Sequence, residues 1–306
     1  MINLSGYKLV FDDEFNNLSV SQSGKNTVWA DIRPDWRLNA DADIGFGASS
    51  FVDPGSSIDP FSIVNGALNI QAVQTPNPYV DSGVWASGLL ETQNSFSQEY
   101  GYFEMRAELP TDVGVWPAFW MLPENGSWPP EIDALEAYGT SDLYQTVHRG
   151  ASNTTDTTWS DQPSMLSGFH TYGVLWTSST ITFYFDGNEV GRQPTPADLN
   201  QPMYLLVDLA TQAVAGVTND PKSMRVDYIR AYSDDPTATA VPLQAVSSPD
   251  GLDTADLYGA TAKSGAQVLG GSTGNAIVYD GLGDVVEDPS GDAYFTLTGG
   301  SNAIVL

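Results

Sequence analysis

The chain has 306 residues, with 11 Lys and Arg against 38 Asp and Glu, a formal charge of −27. That balance excludes a nucleic-acid surface, which needs a basic face against phosphate, while 41% hydrophobic and 11% aromatic residues suffice for a large folded core. There are no cysteines and only two histidines, His148 and His170, which removes disulfides, thiolate chemistry and a multi-histidine metal centre.

No run of about 18 apolar residues occurs, so no membrane span is expected. The opening MINLSGYKLVFDDEF has no basic start followed by an apolar stretch, so no standard secretory signal is visible. Self-repulsion in so acidic a chain favours a soluble monomer.

In chain order, KLVFDDEF, GALNIQAV, YGYFEMRAELP, FHTYGVLW, TITFYFDGNEV, MYLLVDLA and SMRVDYIRAY read as short strands separated by turns. Many short strands and almost no 3.6-residue periodicity predict an all-β antiparallel sandwich or jelly roll over residues 1–235. The clearest hairpin is Thr180 to Val190, where Ile181, Phe183 and Phe185 alternate before Asp186-Gly187, a dipeptide that tolerates positive backbone angles.

In GVWPAFW, Trp116 and Trp120 share one face by period two, with Phe119 and Met121 on the other. Indole faces suit the C–H faces of sugar rings, so the pair reads either as a cleft wall or as core. Trp128 and Trp36, the latter in R-P-D-W-R-L-N, are further candidates for sugar contacts.

The most informative stretch is Trp128-Pro-Pro-Glu131-Ile-Asp133-Ala-Leu-Glu136-Ala-Tyr138-Gly139. Local propensity reads it as a helix, with prolines at the start and a terminating glycine. As a strand it explains more. Glu131 and Asp133 share a face, and one extra residue at Ala134-Leu135, a β-bulge, returns Glu136 to that face. Such a strand would leave about 5 Å between the outer carboxyls, near the separation of a retaining glycosidase.

The E-I-D-A-L-E pattern resembles the signature of glycoside hydrolase family 16, in the bulged E-x-D-x-x-E form of its laminarinase-like members. FDDEF, GYFEMRAELP, GVWPAFWMLP, FHTYGVLWTSSTITFYFDGNEV and VDYIRAY fit in the same order, so the resemblance covers about residues 7 to 232. GSWPPEID and TPADLNQPMYLL are most similar to bacterial glycanases that trim succinoglycan-type exopolysaccharides. The resemblance implies a concanavalin A-like jelly roll with an open cleft. It also implies endo-acting, retaining hydrolysis of a polysaccharide, with no catalytic cofactor.

On that resemblance Glu131 is the nucleophile, Glu136 the general acid/base and Asp133 a helper between them. His148 in T-V-H-R would face the acid/base or a sugar hydroxyl, Asn39 would bind sugar, and His170 is structural. The resemblance further implies one structural calcium, with Asp227 as ligand and Glu14 and the Gly66 carbonyl as partners. Where relatives read L-N-L-A-V-G-G, this chain has Val207-Asp208-Leu209-Ala210-Thr211-Gln212, which leaves the substrate open. A β-1,3- or mixed β-1,3/1,4-glucan leads. A succinoglycan-type polymer is the alternative and would need the positive charges of Arg33, Arg37 and Arg149. A non-catalytic carbohydrate-binding jelly roll and transglycosylation stay open. The substrate class implies work outside the cell.

After Ser233 the composition changes. Residues 236–306 have one lysine, no arginine and no tryptophan, and G-G-S-T-G-N-A-I-V and G-G-S-N-A-I-V repeat weakly. This Gly/Asp-rich C-terminal extension is expected to be a separate unit, either calcium-repeat-like, secretion-related or a short accessory β-segment ending in an apolar run.

Overall fold

The computed structural model describes residues 1–22, 24, 26–33, 45–53, 58–74 and 85–235, and the backbone of three short strand segments between 278 and 296. Trp36, Arg37 and Asn39 lie outside the described residues, as does most of the extension. Its described part is a three-stranded sheet of Val278–Tyr279, Asp284–Glu287 and Ala293–Thr296 that pairs only within itself.

The rest forms two large sheets. One runs, in spatial order, Asn188–Pro194, Thr180–Phe185, His170–Trp176, Gly101–Glu108, Lys222–Ser233, Ala67–Gln74, Trp85–Ser87, Ser49–Phe51 and Gly45–Phe46. The other runs Thr154–Asp161, Asp142–Arg149, Glu131–Ala137, Val115–Pro123, Met203–Thr211, Leu89–Glu91, Trp29–Asp31 and Val20–Ser21. Pairing is antiparallel except for two short pairs, Val20–Ser21 with Trp29–Asp31 and Ser49–Phe51 with Trp85–Ser87. The only helix among the described residues is a single 3-10 turn, Pro163–Leu166.

The expected hairpin is present. Phe185 pairs with Asn188, leaving Asp186 and Gly187 as a two-residue loop with φ of 47° and 71°, the primed turn that matches strand twist. Ile181, Phe183 and Phe185 are buried in the core between the sheets.

Two apolar layers result from strict alternation. Phe119, Met121, Met203, Leu205, Val207 and Leu209 point into the core between the sheets. Ala118, Trp120, Leu122, Tyr204, Leu206 and Ala210 form a second cluster on the opposite face of the same strands. Met203–Thr211 is therefore buried at every position. Burial on both faces fixes register, because a one-residue slip would exchange the two layers. Phe119, fully buried, would cost about 3–5 kcal/mol if cut back to alanine.

Candidate active site

Glu131–Ala137 is a strand, although its residues favour a helix in isolation. Tertiary burial decides: Ile132, Ala134, Leu135 and Ala137 all enter the core between the sheets. Two of these, Ala134 and Leu135, are adjacent, which regular pleating forbids. The register shows why. Asp133 pairs with Thr146 and Glu136 with Tyr144, so three steps on this strand oppose two on its neighbour. On the other side Trp120 pairs with Asp133 and Phe119 with Leu135, again skipping Ala134. This is the bulge expected from the sequence, and it brings Glu131, Asp133 and Glu136 to one cleft of about 660 Å³.

Each outer glutamate is held by an indole. Glu131 Oε2 accepts from Trp128 Nε1 at 2.6 Å. Glu136 Oε1 accepts from Trp116 Nε1 at 3.0 Å and from the Tyr138 hydroxyl at 3.3 Å, and its Oε2 accepts from Thr146 Oγ1 at 3.3 Å. His148 Nε2 stands 3.4 Å from Asp133 Oδ2 and 3.7 Å from Glu131 Oε1. Its Nδ1 is hydrogen-bonded to Asn153 Oδ1 at 2.9 Å, with that amide oxygen accepting.

Asp133 is fully buried, and burial raises its carboxyl well above the usual carboxylate range, with the charges of Glu131 and Glu136 adding to the effect. It thus keeps its proton to higher pH than an ordinary aspartate, and as an acid it can donate to the neighbouring Glu131 carboxylate. A second buried acid lies in the neighbouring strand. Asp208 Oδ1 accepts from Trp120 Nε1 at 2.8 Å and Oδ2 from the Ala210 amide at 3.1 Å. Burial also raises this carboxyl well above its ordinary value, against the two hydrogen bonds.

Trp116 and Trp120 both line the cleft, but Phe46 packs against them at centroid distances of 5.2 and 6.2 Å. Trp120 is only 7% exposed, so both readings of the pair hold: cleft wall and second apolar layer. Trp128 is 52% exposed and leans on His148 with ring centroids 6.0 Å apart. His170 is engaged by Asp186 and the Ser167 carbonyl, away from the cleft.

Arg149 is corrected by the structure. Period two turns it away from His148, and it pairs with Asp156 at 2.6 Å beside Asp198, in a different pocket. Arg33 does line the cleft. Phe46, Tyr138, Tyr144, Thr146, Thr155 and Thr157 line it as well and were not singled out from the sequence. Tyr138, Tyr144 and Thr146 could have been found by counting in twos from Glu136 and His148. Phe46 carries no such signal, because it arrives from a distant segment.

The expected calcium ligands do not form an oxygen cage. Asp227 is ion-paired with Arg106, and Glu14 with Arg230, which also contacts Asp12 at 3.0 Å. Gly66, φ 75°, serves the Asn65-Gly66 turn between Phe61–Val64 and Ala67–Gln74. A cation here would have to displace two guanidinium groups, so this set does not fit calcium. Among the described residues, Glu131, Asp133 and His148 bring one ligand atom each within 4.8 Å.

Residues 59–230 match the family Glycosyl hydrolases family 16. Two proteins of Rhizobium meliloti (strain 1021), Endo-1,3-1,4-beta-glycanase ExsH and Endo-1,3-1,4-beta-glycanase EglC, are 42% and 40% identical over 242 residues, 73% of this chain. The chain spans about half of their length, 51% in each case. The crystal structure of SCLam, a non-specific endo-beta-1,3(4)-glucanase from family GH16, matches with a TM-score of 0.65 at 25% identity, over 76% of this chain and 94% of that one.

Proposed function

Since the chain belongs to glycosyl hydrolases family 16, we propose that it is an endo-acting, retaining glycoside hydrolase that cleaves β-1,3- or mixed β-1,3/1,4-glucan. The observation that carries this reading is the bulged strand, which turns Glu131, Asp133 and Glu136 toward one cleft with a separate indole donor on each glutamate.

In the first step Glu131 attacks the anomeric carbon while Glu136 gives its proton to the departing glycosidic oxygen. In the second, Glu136 takes a proton from water, which displaces Glu131 from the sugar. Asp133, next to Glu131 on the same face, would steady the attacking carboxylate before and after it is esterified. His148 faces the same pair of acids from the neighbouring strand. Trp116, Trp128 and the edge of Trp120 offer ring surface to sugars. A lectin has no use for a proton donor set beside a nucleophile, which favours hydrolysis over binding alone.

A succinoglycan-type polymer is the second reading, favoured by the Arg33 side chain at the cleft. A polymer substrate puts the enzyme's work outside the cell, as a monomer without nucleic-acid or membrane partners. Among the described residues no helix is long and apolar enough to cross a membrane.

Product analysis on laminarin, mixed-linkage β-glucan, succinoglycan and agarose, with wild type beside Glu131→Gln, tests the proposal. Oligosaccharides from a glucan, absent with the variant, support it. Cleavage of succinoglycan alone moves the substrate to the second reading. Binding without cleavage, equal in both proteins, sinks the enzyme.

A further inference from the structure

Thr154–Asp161 is the edge strand of the sheet that carries the carboxylates. Its residues are small and polar except for one, Trp159, which is 61% exposed. Nothing in the core requires an indole there. Of the other described tryptophans, Trp29, Trp85, Trp120 and Trp176 are buried, and only Trp128, at the cleft, approaches the exposure of Trp159.

The register decides which way Trp159 faces. Thr155 and Thr157 line the cleft, and Trp159 follows them by period two. It is directly opposite Tyr144, which also lines the cleft. The intervening Thr158 turns the other way, its hydroxyl on the buried Gln145 side chain at 3.1 Å. Directly opposed side chains share a face, with Cβ atoms about 5 Å apart.

Trp159 thereby completes a row of rings, from three strands and from Tyr138 just past the end of Glu131–Ala137. Trp116 meets Tyr138 at 5.8 Å, Tyr138 meets Tyr144 at 5.4 Å, and Tyr144 stands beside Trp159. The row passes Glu136, which is hydrogen-bonded to its first two members. Two strand spacings, about 10 Å, separate the edge strand from the one that carries Glu136. A sugar over Trp159 therefore belongs to a unit further along the polymer than the one being cleaved.

From this continuity we propose that Trp159 is a further substrate-binding residue, an open indole on which a neutral sugar ring of the glucan stacks where the chain leaves the cleft. The inference rests on the glucan reading above. An exposed indole binds a sugar through its apolar C–H face and needs no charge, which suits a chain of net charge −27 acting on a neutral polymer.

The test compares wild type, Trp159→Ala and Trp159→Phe on laminarin and on the shortest laminari-oligosaccharide that wild type cleaves. Trp159→Ala should raise KM for laminarin about three- to tenfold, with kcat within about twofold and the short oligosaccharide unaffected. Trp159→Phe should recover most of the loss, and Tm should stay unchanged. An unaltered KM on laminarin, or an equal loss on both substrates, overturns the assignment. Laminarin affinity measured with Glu131→Gln, with and without Trp159→Ala, separates the two readings. If wild type cleaves nothing, hydrolysis fails, yet laminarin binding that weakens without the indole still supports Trp159, and binding that is unchanged or absent overturns it.

Discussion

Trp128 donates its indole N–H to Glu131 at 2.6 Å, although the ring itself is half exposed to solvent. A single side chain thus offers a sugar-stacking face and orients the carboxylate proposed to attack. The two roles separate by substitution. Trp128→Phe keeps a ring and loses the donor, so kcat should fall about ten- to a hundredfold, the worth of one hydrogen bond to a charged group. KM should move less. Steady-state kinetics on a glucan, with Tm as a control, checks this.

Glu131→Gln and Glu136→Gln should both lower kcat on a polysaccharide by at least about a hundredfold. They should differ on an aryl glycoside whose leaving group needs no proton. There the first step survives in Glu136→Gln and is lost in Glu131→Gln. A burst of released phenol from the Glu136 variant, absent from the Glu131 variant, is the expected outcome, and equal losses would overturn the division of roles.

Asp133 and Asp208 make stability depend on pH. Their folded carboxyls are raised by burial above unfolded values, so the folded state binds protons more tightly. Their contribution is full below the ordinary carboxylate range and is lost as pH rises toward the raised values. Asp208→Asn cannot satisfy both the Trp120 and Ala210 donors, so it should cost about 1 kcal/mol at low pH. It should also flatten the decline between pH 5 and pH 8. Urea unfolding of both proteins at those two values measures the slopes, and parallel slopes would refute the assignment.

Arg149→Ala should leave glucan hydrolysis within about twofold of wild type, because its guanidinium is spent on Asp156 outside the cleft and such an exposed pair contributes little. Arg33→Ala should instead weaken binding of an anionic exopolysaccharide at low salt and leave neutral glucan unchanged. Titrating salt against KM for both polymers distinguishes the two arginines.

The sequence by itself determined what depends on near neighbours. Alternation in Thr180–Phe185 and the Asp186-Gly187 pair specify a hairpin, and period two divides Trp116 and Trp120 from Phe119 and Met121. Once the segment is a strand, which tertiary burial decides, the E-x-D-x-x-E spacing calls for one bulge to bring three carboxyls to one face. Tertiary structure alone decided the rest. Asp227 meets Arg106 and Arg230 meets Glu14 across separations of 121 and 216 residues, and these pairings occupy the oxygens that a calcium ion would need. Phe46 reaches the tryptophans from a remote segment, and Asp208 is buried only because Trp120 and the flanking strands cover it. The charge state of a carboxyl and the neighbours of a ring depend on what the fold brings alongside, and local spacing does not encode it.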